Sequence, residues 1–215
     1  MMNSLPEGFQ ALVLGAKSRA LLEGTGIELL TIRTDQRFNG DLWSRSHGLA
    51  LAGMLTLLSR GSAAGLIGGS GTYAPLLVPF GSNPITDWMM GSRSFAIVHD
   101  GTHASRLEKV GTLAEWPAAC RHLRSCHRGT LRDRNCGRCP KCALSQALFR
   151  CFGVEPPCLD SPLPEAEFCA ALRDFPSNSA SDPELVRMRL HLAERGVTGA
   201  WVEALETSLR SKGLA

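Results

Sequence analysis

The stretch Ala63-Ala64-Gly65-Leu66-Ile67-Gly68, followed by Gly69-Ser70-Gly71, decides the fold class that the sequence predicts. It is short and apolar and glycines end it, which is typical of a strand that is buried in a sheet. Residues 27–32 and 94–99 have the same character, and helical spacing of apolar residues covers 9–23, 42–59 and 106–116. This alternation predicts an α/β protein with an open parallel sheet. Ligands of such sheets bind beyond the carboxyl ends of the strands, here at residues 34–35, 68–71 and 99–101.

The second half of the chain changes in character. Helices are predicted over 141–152, 164–174, 183–195 and 198–211, after a cluster of cysteines. The proline-rich stretch that starts with Glu155-Pro156-Pro157 is the best candidate boundary. The predicted organisation is therefore an α/β core over 1–119, a zinc-binding lobe over 120–152 and a helical C-terminal extension over 153–215.

Composition excludes several classes of protein. With 215 residues, 44% of them hydrophobic and 20% charged, the chain is neither disordered nor fibrous. No apolar run approaches the roughly 20 residues of a membrane span, and the first residues lack the pattern of a secretory signal, so we expect a cytoplasmic protein without a membrane partner. The net charge is +3, but residues 121–150 hold eight Lys or Arg against Asp133 alone, a local charge of +7.

The cysteine cluster carries the clearest chemistry. Cys126, Cys136, Cys139 and Cys142 follow the pattern C-x9-C-x2-C-x2-C. Two-residue gaps let neighbouring thiolates converge on one ion, and a fourth ligand from a preceding loop closes a tetrahedron. The pattern predicts a structural zinc site, because a closed shell of four cysteines leaves no position for a reacting water.

Other interpretations of these cysteines remain open. Cys120, His122 or His127 could replace Cys126 as the fourth ligand. Cys139-Pro140-Lys141-Cys142 alone could be a thioredoxin-like redox pair, although such a pair normally follows a strand and lacks a third cysteine just upstream. Reduced cysteines without a metal are the third alternative.

The same segment resembles a known family. Leu123-Arg124-Ser125-Cys126 and Asn135-Cys136-Gly137-Arg138-Cys139-Pro140-Lys141-Cys142 are similar to the zinc motif of the 7-cyano-7-deazaguanine synthases and of a wider group of PP-loop ATP pyrophosphatases of the N type. Similar stretches are Pro79-Phe80-Gly81-Ser82-Asn83-Pro84-Ile85-Thr86-Asp87-Trp88, Val98-His99-Asp100-Gly101 and Ser105-Arg106-Leu107-Glu108-Lys109-Val110. The resemblance covers about residues 20–155.

The resemblance implies a HUP-type (adenine nucleotide alpha hydrolase-like) doubly wound parallel sheet that binds ATP. That superfamily carries a Ser-Gly-Gly-x-Asp-Ser phosphate loop after its first strand, and this sequence contains no such motif. Lined up on the shared motifs, the chain begins after the place of that loop, which makes the predicted sheet N-terminally truncated. We expect a longer N-terminus, a loop from a partner subunit or second copy, or loss of the catalytic half-site.

The resemblance also implies candidate site residues. Lys109 matches a lysine that the superfamily directs at nucleotide phosphates, and Arg106 lies one helical turn earlier; both could equally belong to a solvated helix face. Asp87 matches the acidic residue of the family loop and is, with Lys109, a catalytic candidate for binding substrate or Mg2+; its alternative is a turn residue. Ser82 and Asn83 would line the same pocket, where Asn83 replaces the usual histidine, and Asp35 lies where the fold contacts adenosine.

His99 and His103 flank Asp100-Gly101 at the end of a predicted strand. This position is consistent with acid/base chemistry, and also with a loop-stabilising hydrogen bond.

Three functions follow from these observations. The first is an ATP pyrophosphatase-like protein that adenylates a small carboxylate or nucleoside-like substrate and then amidates it, using ATP, Mg2+ and a structural Zn2+. The second is a catalytically inactive zinc-binding subunit that binds nucleotide or a partner. The third, a basic zinc module for nucleic acid, lacks stacking aromatics and a recognition helix, so nucleic acid is the least favoured partner.

Overall fold

The computed structural model of the chain describes residues 7–32, 40–59, 61–69, 71–73, 76, 80–126, 135–159, 161–178 and 181–214. These residues form a mixed α/β protein with eight α-helices and a two-stranded parallel sheet. The chain divides into two compact units. We call them the sheet unit, Ile32–Arg106, and the helical unit, which combines Met1–Thr31 with Leu107–Ala215.

The sheet unit is built on two parallel strands. Strand β1 (Ala64–Gly68) pairs with β2 (Ala96–Asp100), and Leu66 lies opposite Val98. One face of the sheet is buried with Ala52 of helix α2 (Gly40–Leu57) and with Phe95, while Leu66 on the other face is 62% exposed. A short 3-10 helix, Asp87–Met90, precedes β2 and contacts it. The strands predicted over 63–68 and 94–99 and the helix over 42–59 are thereby confirmed.

The strand predicted over 27–32 is wrong. Residues 26–32 form neither helix nor strand, and Ile27 and Leu30 are about three-fifths exposed, at 63% and 60%. The β-branched sequence has the propensity for a strand, but a strand needs a neighbour that accepts its backbone hydrogen bonds. The parallel α/β class is therefore confirmed, whereas the larger doubly wound sheet stays a prediction.

The helical unit contains the larger core. Its helices are α1 (Glu7–Leu22), α3 (Arg106–Ala114), α4 (Pro117–His122), α5 (Pro140–Arg150), α6 (Glu165–Arg173), α7 (Asp182–Glu194) and α8 (Ala200–Ser211). Helix α8 packs against α6 and α7, and the side chains at the centre of this core are fully buried: Phe149, Phe168, Leu172, Leu185, Met188, Leu192 and Leu205. The four predicted C-terminal helices are confirmed.

The helix predicted over 106–116 forms and is two residues shorter than predicted. It ends at Ala114, and Pro117 opens α4 as its first residue. Proline has no backbone N–H and fits the first turn of a helix, so it separates α3 from α4. Among the described residues, no helix combines the length and apolar character that crossing a bilayer requires.

Candidate metal centre and sheet-edge site

Four cysteine sulfurs converge in the helical unit. The Sγ of Cys126 lies 3.4 Å from that of Cys136 and 3.5 Å from that of Cys139, while the Sγ of Cys142 lies 3.6 Å from Cys139 and 3.8 Å from Cys136. All four lie within 4.8 Å of one another. These separations are far longer than the roughly 2.05 Å of a disulfide. They approach the edge of about 3.8 Å of a tetrahedron whose corners are about 2.3 Å from a central ion, so the group can hold a metal ion.

Helix α5 positions two of these ligands. Its first residue is Pro140, so Cys139 precedes the helix and Cys142 lies in the first turn. The backbone N–H of Cys142 hydrogen-bonds to the thiol sulfur of Cys139. The sequence therefore places Cys139 and Cys142 on one helix start, where backbone amides favour negative charge on sulfur.

Burial of the sulfurs disfavours the negatively charged thiolate form of Cys139 and Cys142. Desolvation raises the pKa of the Cys139 thiol, against the hydrogen bond from the Cys142 amide. Desolvation raises the pKa of Cys142 still further, with added contributions from the neighbouring sulfurs of Cys139 and Cys126. Burial therefore favours the protonated form of Cys139 and Cys142, and a bound metal ion would supply the positive charge that favours their thiolates.

Asn135 connects the loops around the cluster. It is 3% exposed, and its Oδ1 accepts the backbone N–H groups of Ser125 at 3.0 Å and of Cys126 at 3.1 Å. Its Nδ2 donates to the carbonyls of Leu123 and Cys158, both at 2.9 Å. Three of these bonds hold the loop that carries Cys126, and the fourth joins that loop to Cys158. Sequence reasoning quoted Asn135 only as part of the motif and missed this role, although an asparagine beside a ligand cysteine is a signal for side-chain bonds to backbone.

Gly137 is required by the turn between Cys136 and Cys139. Its φ is +73°, in the left-handed region that favours glycine, and a Cβ there would overlap the carbonyl oxygen of Ser161. Because Gly137 has no side chain, the turn that carries Cys136 and Cys139 can pack directly against the backbone of Ser161.

The structure also locates the alternative ligands. The thiol of Cys120 donates to the carbonyl oxygen of Leu113 at 3.3 Å and is not part of the four-sulfur group. His122 is likewise not part of it, and His127 lies outside the described residues. The group that the structure brings together therefore contains Cys126.

A second polar cluster lies in the sheet unit, around Asp87. Asp87 is fully buried, and its Oδ2 accepts the Ser82 hydroxyl at 2.6 Å and the Nδ1 of His99 at 2.7 Å. Its Oδ1 accepts the backbone N–H of Asn83 at 3.0 Å. The sequence predicted that this carboxylate binds substrate or Mg2+. In the structure it is buried and accepts hydrogen bonds from Ser82, Asn83 and His99.

The loop before Asp87 is held by its own residues. The side-chain oxygen of Asn83 accepts the N–H groups of Ile85 at 3.0 Å and Thr86 at 3.2 Å, as in an Asx turn. Gly81 lies against the backbone of α2, where the N–H of Gly48 donates to its carbonyl oxygen at 2.9 Å. This close backbone packing gives the loop a fixed position beside β2.

The structure places two of the remaining candidates, Arg106 and Lys109, on helix α3. Lys109 lies on α3 in the helical unit, and Arg106 is the first residue of that helix. At the start of α3 the buried carboxylate of Glu184 accepts the N–H of Leu107 at 3.1 Å. Asp35 lies outside the described residues.

We compared the chain with protein-family models, with curated proteins and with solved structures, and none of them matches it. A functional assignment therefore depends on the two sites described above and on the motifs that resemble the pyrophosphatases.

Proposed function

We propose that the protein is a zinc-containing, ATP pyrophosphatase-like protein in which the zinc ion has a structural role. The observation that carries the metal assignment is the set of four sulfurs within 4.8 Å of one another. Thiolates are soft ligands that select zinc in a tetrahedral site of this kind. An iron–sulfur cluster would place several inorganic atoms between the cysteines and require wider spacing. Because cysteines fill the whole shell, the ion would stabilise the start of α5 and do no chemistry.

The enzymatic part of the proposal rests on the motifs. A HUP-type protein of this kind would adenylate a small carboxylate or nucleoside-like substrate with ATP and Mg2+, and then transfer a nitrogen to it. Arg106 and Lys109 would contact phosphate, with Ser82 and Asp35 near the nucleotide. Since the sequence contains no Ser-Gly-Gly-x-Asp-Ser motif, a partner or a second copy would supply the phosphate loop.

Metal analysis tests the zinc assignment. Protein purified without chelator should contain zinc by elemental analysis, and Cys139→Ser should lose it together with the fold of the helical unit. Cys169→Ala is the control, because Cys169 is a buried cysteine of the hydrophobic core and lies outside the four-sulfur group. A preparation without metal, or equal zinc loss in both variants, would contradict the assignment.

A second candidate is a catalytically inactive subunit that binds nucleotide or a partner. Two observations favour it. The Asp87 carboxylate is buried, and the backbone N–H of Leu107 at the start of α3 donates to Glu184, so both groups are already engaged by the protein itself and not by a substrate. Calorimetry with ATP and Mg2+, together with a pyrophosphate-release assay over a panel of carboxylates, separates the two candidates. Pyrophosphate release supports the enzyme, binding without release supports the subunit, and absence of binding removes the nucleotide from both.

A further inference from the structure

His99 is held at one ring nitrogen and, within the part of the chain that the structure describes, makes no hydrogen bond at the other, on a side chain that is 7% exposed. Its Nδ1 lies 2.7 Å from the Oδ2 of Asp87, a carboxylate that only accepts hydrogen bonds. The Ser82 hydroxyl directs its proton to the same oxygen, at 2.6 Å, so Nδ1 keeps its own proton for Asp87. Among the described residues, no hydrogen bond reaches Nε2. In the neutral ring Nε2 therefore carries the lone pair.

This arrangement differs from a hydrolase triad. In a triad the serine donates to Nε2 of a histidine whose Nδ1 bonds the aspartate. Here Ser82 lies on the Nδ1 side, 3.3 Å from that nitrogen, and its bond goes to the aspartate. Ser82 therefore helps to hold Asp87, and His99 is the terminal group of the chain of hydrogen bonds.

The space next to Nε2 is bounded by Gly69, which directly follows β1. A Cβ at Gly69 would lie 2.7 Å from Nε2 of His99 and 2.8 Å from the carbonyl oxygen of Asp100, both too close for a carbon atom, so this position beside the ring requires glycine. The N–H of Gly69 donates to the carbonyl of Asp100 at 2.6 Å, which fixes the glycine beside the end of β2. Nε2 consequently lies at the carboxyl ends of both parallel strands, where open α/β sheets bind ligands.

We propose that His99 is the proton-accepting group of a ligand site at this sheet edge, with Asp87 as its positioning residue. The ligand class is a small molecule with an amine or hydroxyl that donates to Nε2. The buried Asp87 carboxylate puts negative charge beside the ring, which disfavours an anionic group there.

Within the proposed function, this group would be the nitrogen nucleophile. As the amine attacks the acyl carbon of the adenylate, its N–H bond breaks and the proton moves to Nε2. The nitrogen lone pair forms the new C–N bond, and the acyl–phosphate C–O bond breaks with its electrons leaving on AMP. Asp87 then stabilises the imidazolium. This step rests on the proposed function, whereas the proton-accepting state of His99 does not.

Chemical modification tests that state on nucleotide-free protein. Diethyl pyrocarbonate acylates an imidazole nitrogen that bears a lone pair, and peptide mapping follows His99 with the exposed His103 as an internal standard. We expect labelling of His99 in the wild type and its loss in Gly69→Ala, where the new Cβ covers Nε2. Gly68→Ala is the matched control, since a Cβ there meets nothing within 4 Å. Unlabelled His99 in the wild type, or equal labelling in both glycine variants, would overturn the proposal.

Nitrogen NMR gives a readout that does not depend on the glycine variants. Long-range 1H–15N spectra of the wild type should show a protonated Nδ1 and an unprotonated Nε2 at His99, and Asp87→Asn should abolish this preference. Ethanolamine, which carries both an amine and a hydroxyl, should shift the Nε2 resonance. The opposite tautomer in the wild type, no response to ethanolamine, or a response to inorganic phosphate instead would overturn the assignment. Pyrophosphate-release assays test only the proposed enzymatic function. A failure of that function can therefore be told apart from a failure of the His99 proposal.

Discussion

The side-chain oxygen of Asn135 accepts the backbone N–H of Cys126 at 3.1 Å, so a residue outside the four-sulfur group fixes the loop of one of its cysteines. The same side chain donates to the carbonyl of Cys158 at 2.9 Å. These bonds join sequence-distant loops around the sulfurs. Residues behind metal ligands typically orient them, and their loss weakens metal binding.

Replacing Asn135 should therefore weaken the metal site. Asn135→Ala removes the hydrogen bonds that this side chain makes to the N–H of Cys126 and to the carbonyl of Cys158, each worth about 0.5–1.5 kcal/mol. We expect zinc affinity to fall by roughly 10- to 100-fold in competition with a chromophoric chelator. Ser125→Ala is the control, because its hydroxyl contributes only a 3.4 Å contact to Asn135. Equal zinc affinity in wild type and Asn135→Ala would refute the orienting role.

Zinc binding should become weaker on acidification. Burial raises the pKa of the Cys139 and Cys142 thiols, so at neutral pH the metal displaces protons from them. Each displaced proton makes the apparent affinity roughly tenfold weaker for each unit that pH falls. Calorimetry in buffers of different ionisation enthalpy measures the protons released. An affinity that does not change between pH 8 and pH 6 would mean that the cysteines do not bind as thiolates.

Buried thiols outside the metal centre predict a loss of stability at high pH. Desolvation raises the pKa of Cys151 from 9.0 to about 12. A pKa raised by folding means that this thiol's contribution is fully present below pH 9 and is lost as pH rises towards 12, because the unfolded chain ionises first. Urea unfolding of zinc-loaded protein should show this decline, and Cys151→Ala should reduce its slope. An unchanged slope in the variant would refute the assignment to Cys151.

Glu184 should stabilise the start of α3. Its Oε2 accepts the buried N–H of Leu107 at 3.1 Å, and its Oε1 pairs with Arg187 at 3.1 Å. Glu184→Ala removes both interactions and should lower the free energy of unfolding by about 1–3 kcal/mol. Glu184→Gln keeps an acceptor and should lose less. Glu194→Ala, at an exposed position of α7, is the control. If denaturant titrations give the same loss in the free energy of unfolding for both alanine variants, the contact between Glu184 and Leu107 does not stabilise the start of α3.

Local signals predicted more than long-range ones did. The cysteine spacing and the helices after it depend on nearby residues, and the structure brings those four sulfurs together. The stretch 27–32 has strand propensity, but pairing depends on residues far along the chain, and the structure has no strand there. For Asp87 the residue type predicted a ligand or a turn. Its burial and its contact with His99, twelve residues later, are set by packing that no local pattern encodes.

X-ray absorption at the zinc edge tests the central claim most directly, because it counts the atoms that are bound to the metal. The account predicts four sulfur neighbours at about 2.3 Å, with no nitrogen or oxygen in the first shell. It also predicts loss of the signal in Cys126→Ser and its retention in Cys120→Ser, since the Cys120 thiol bonds the Leu113 carbonyl instead. A shell with nitrogen or oxygen, a signal that depends on Cys120, or protein without zinc would contradict it.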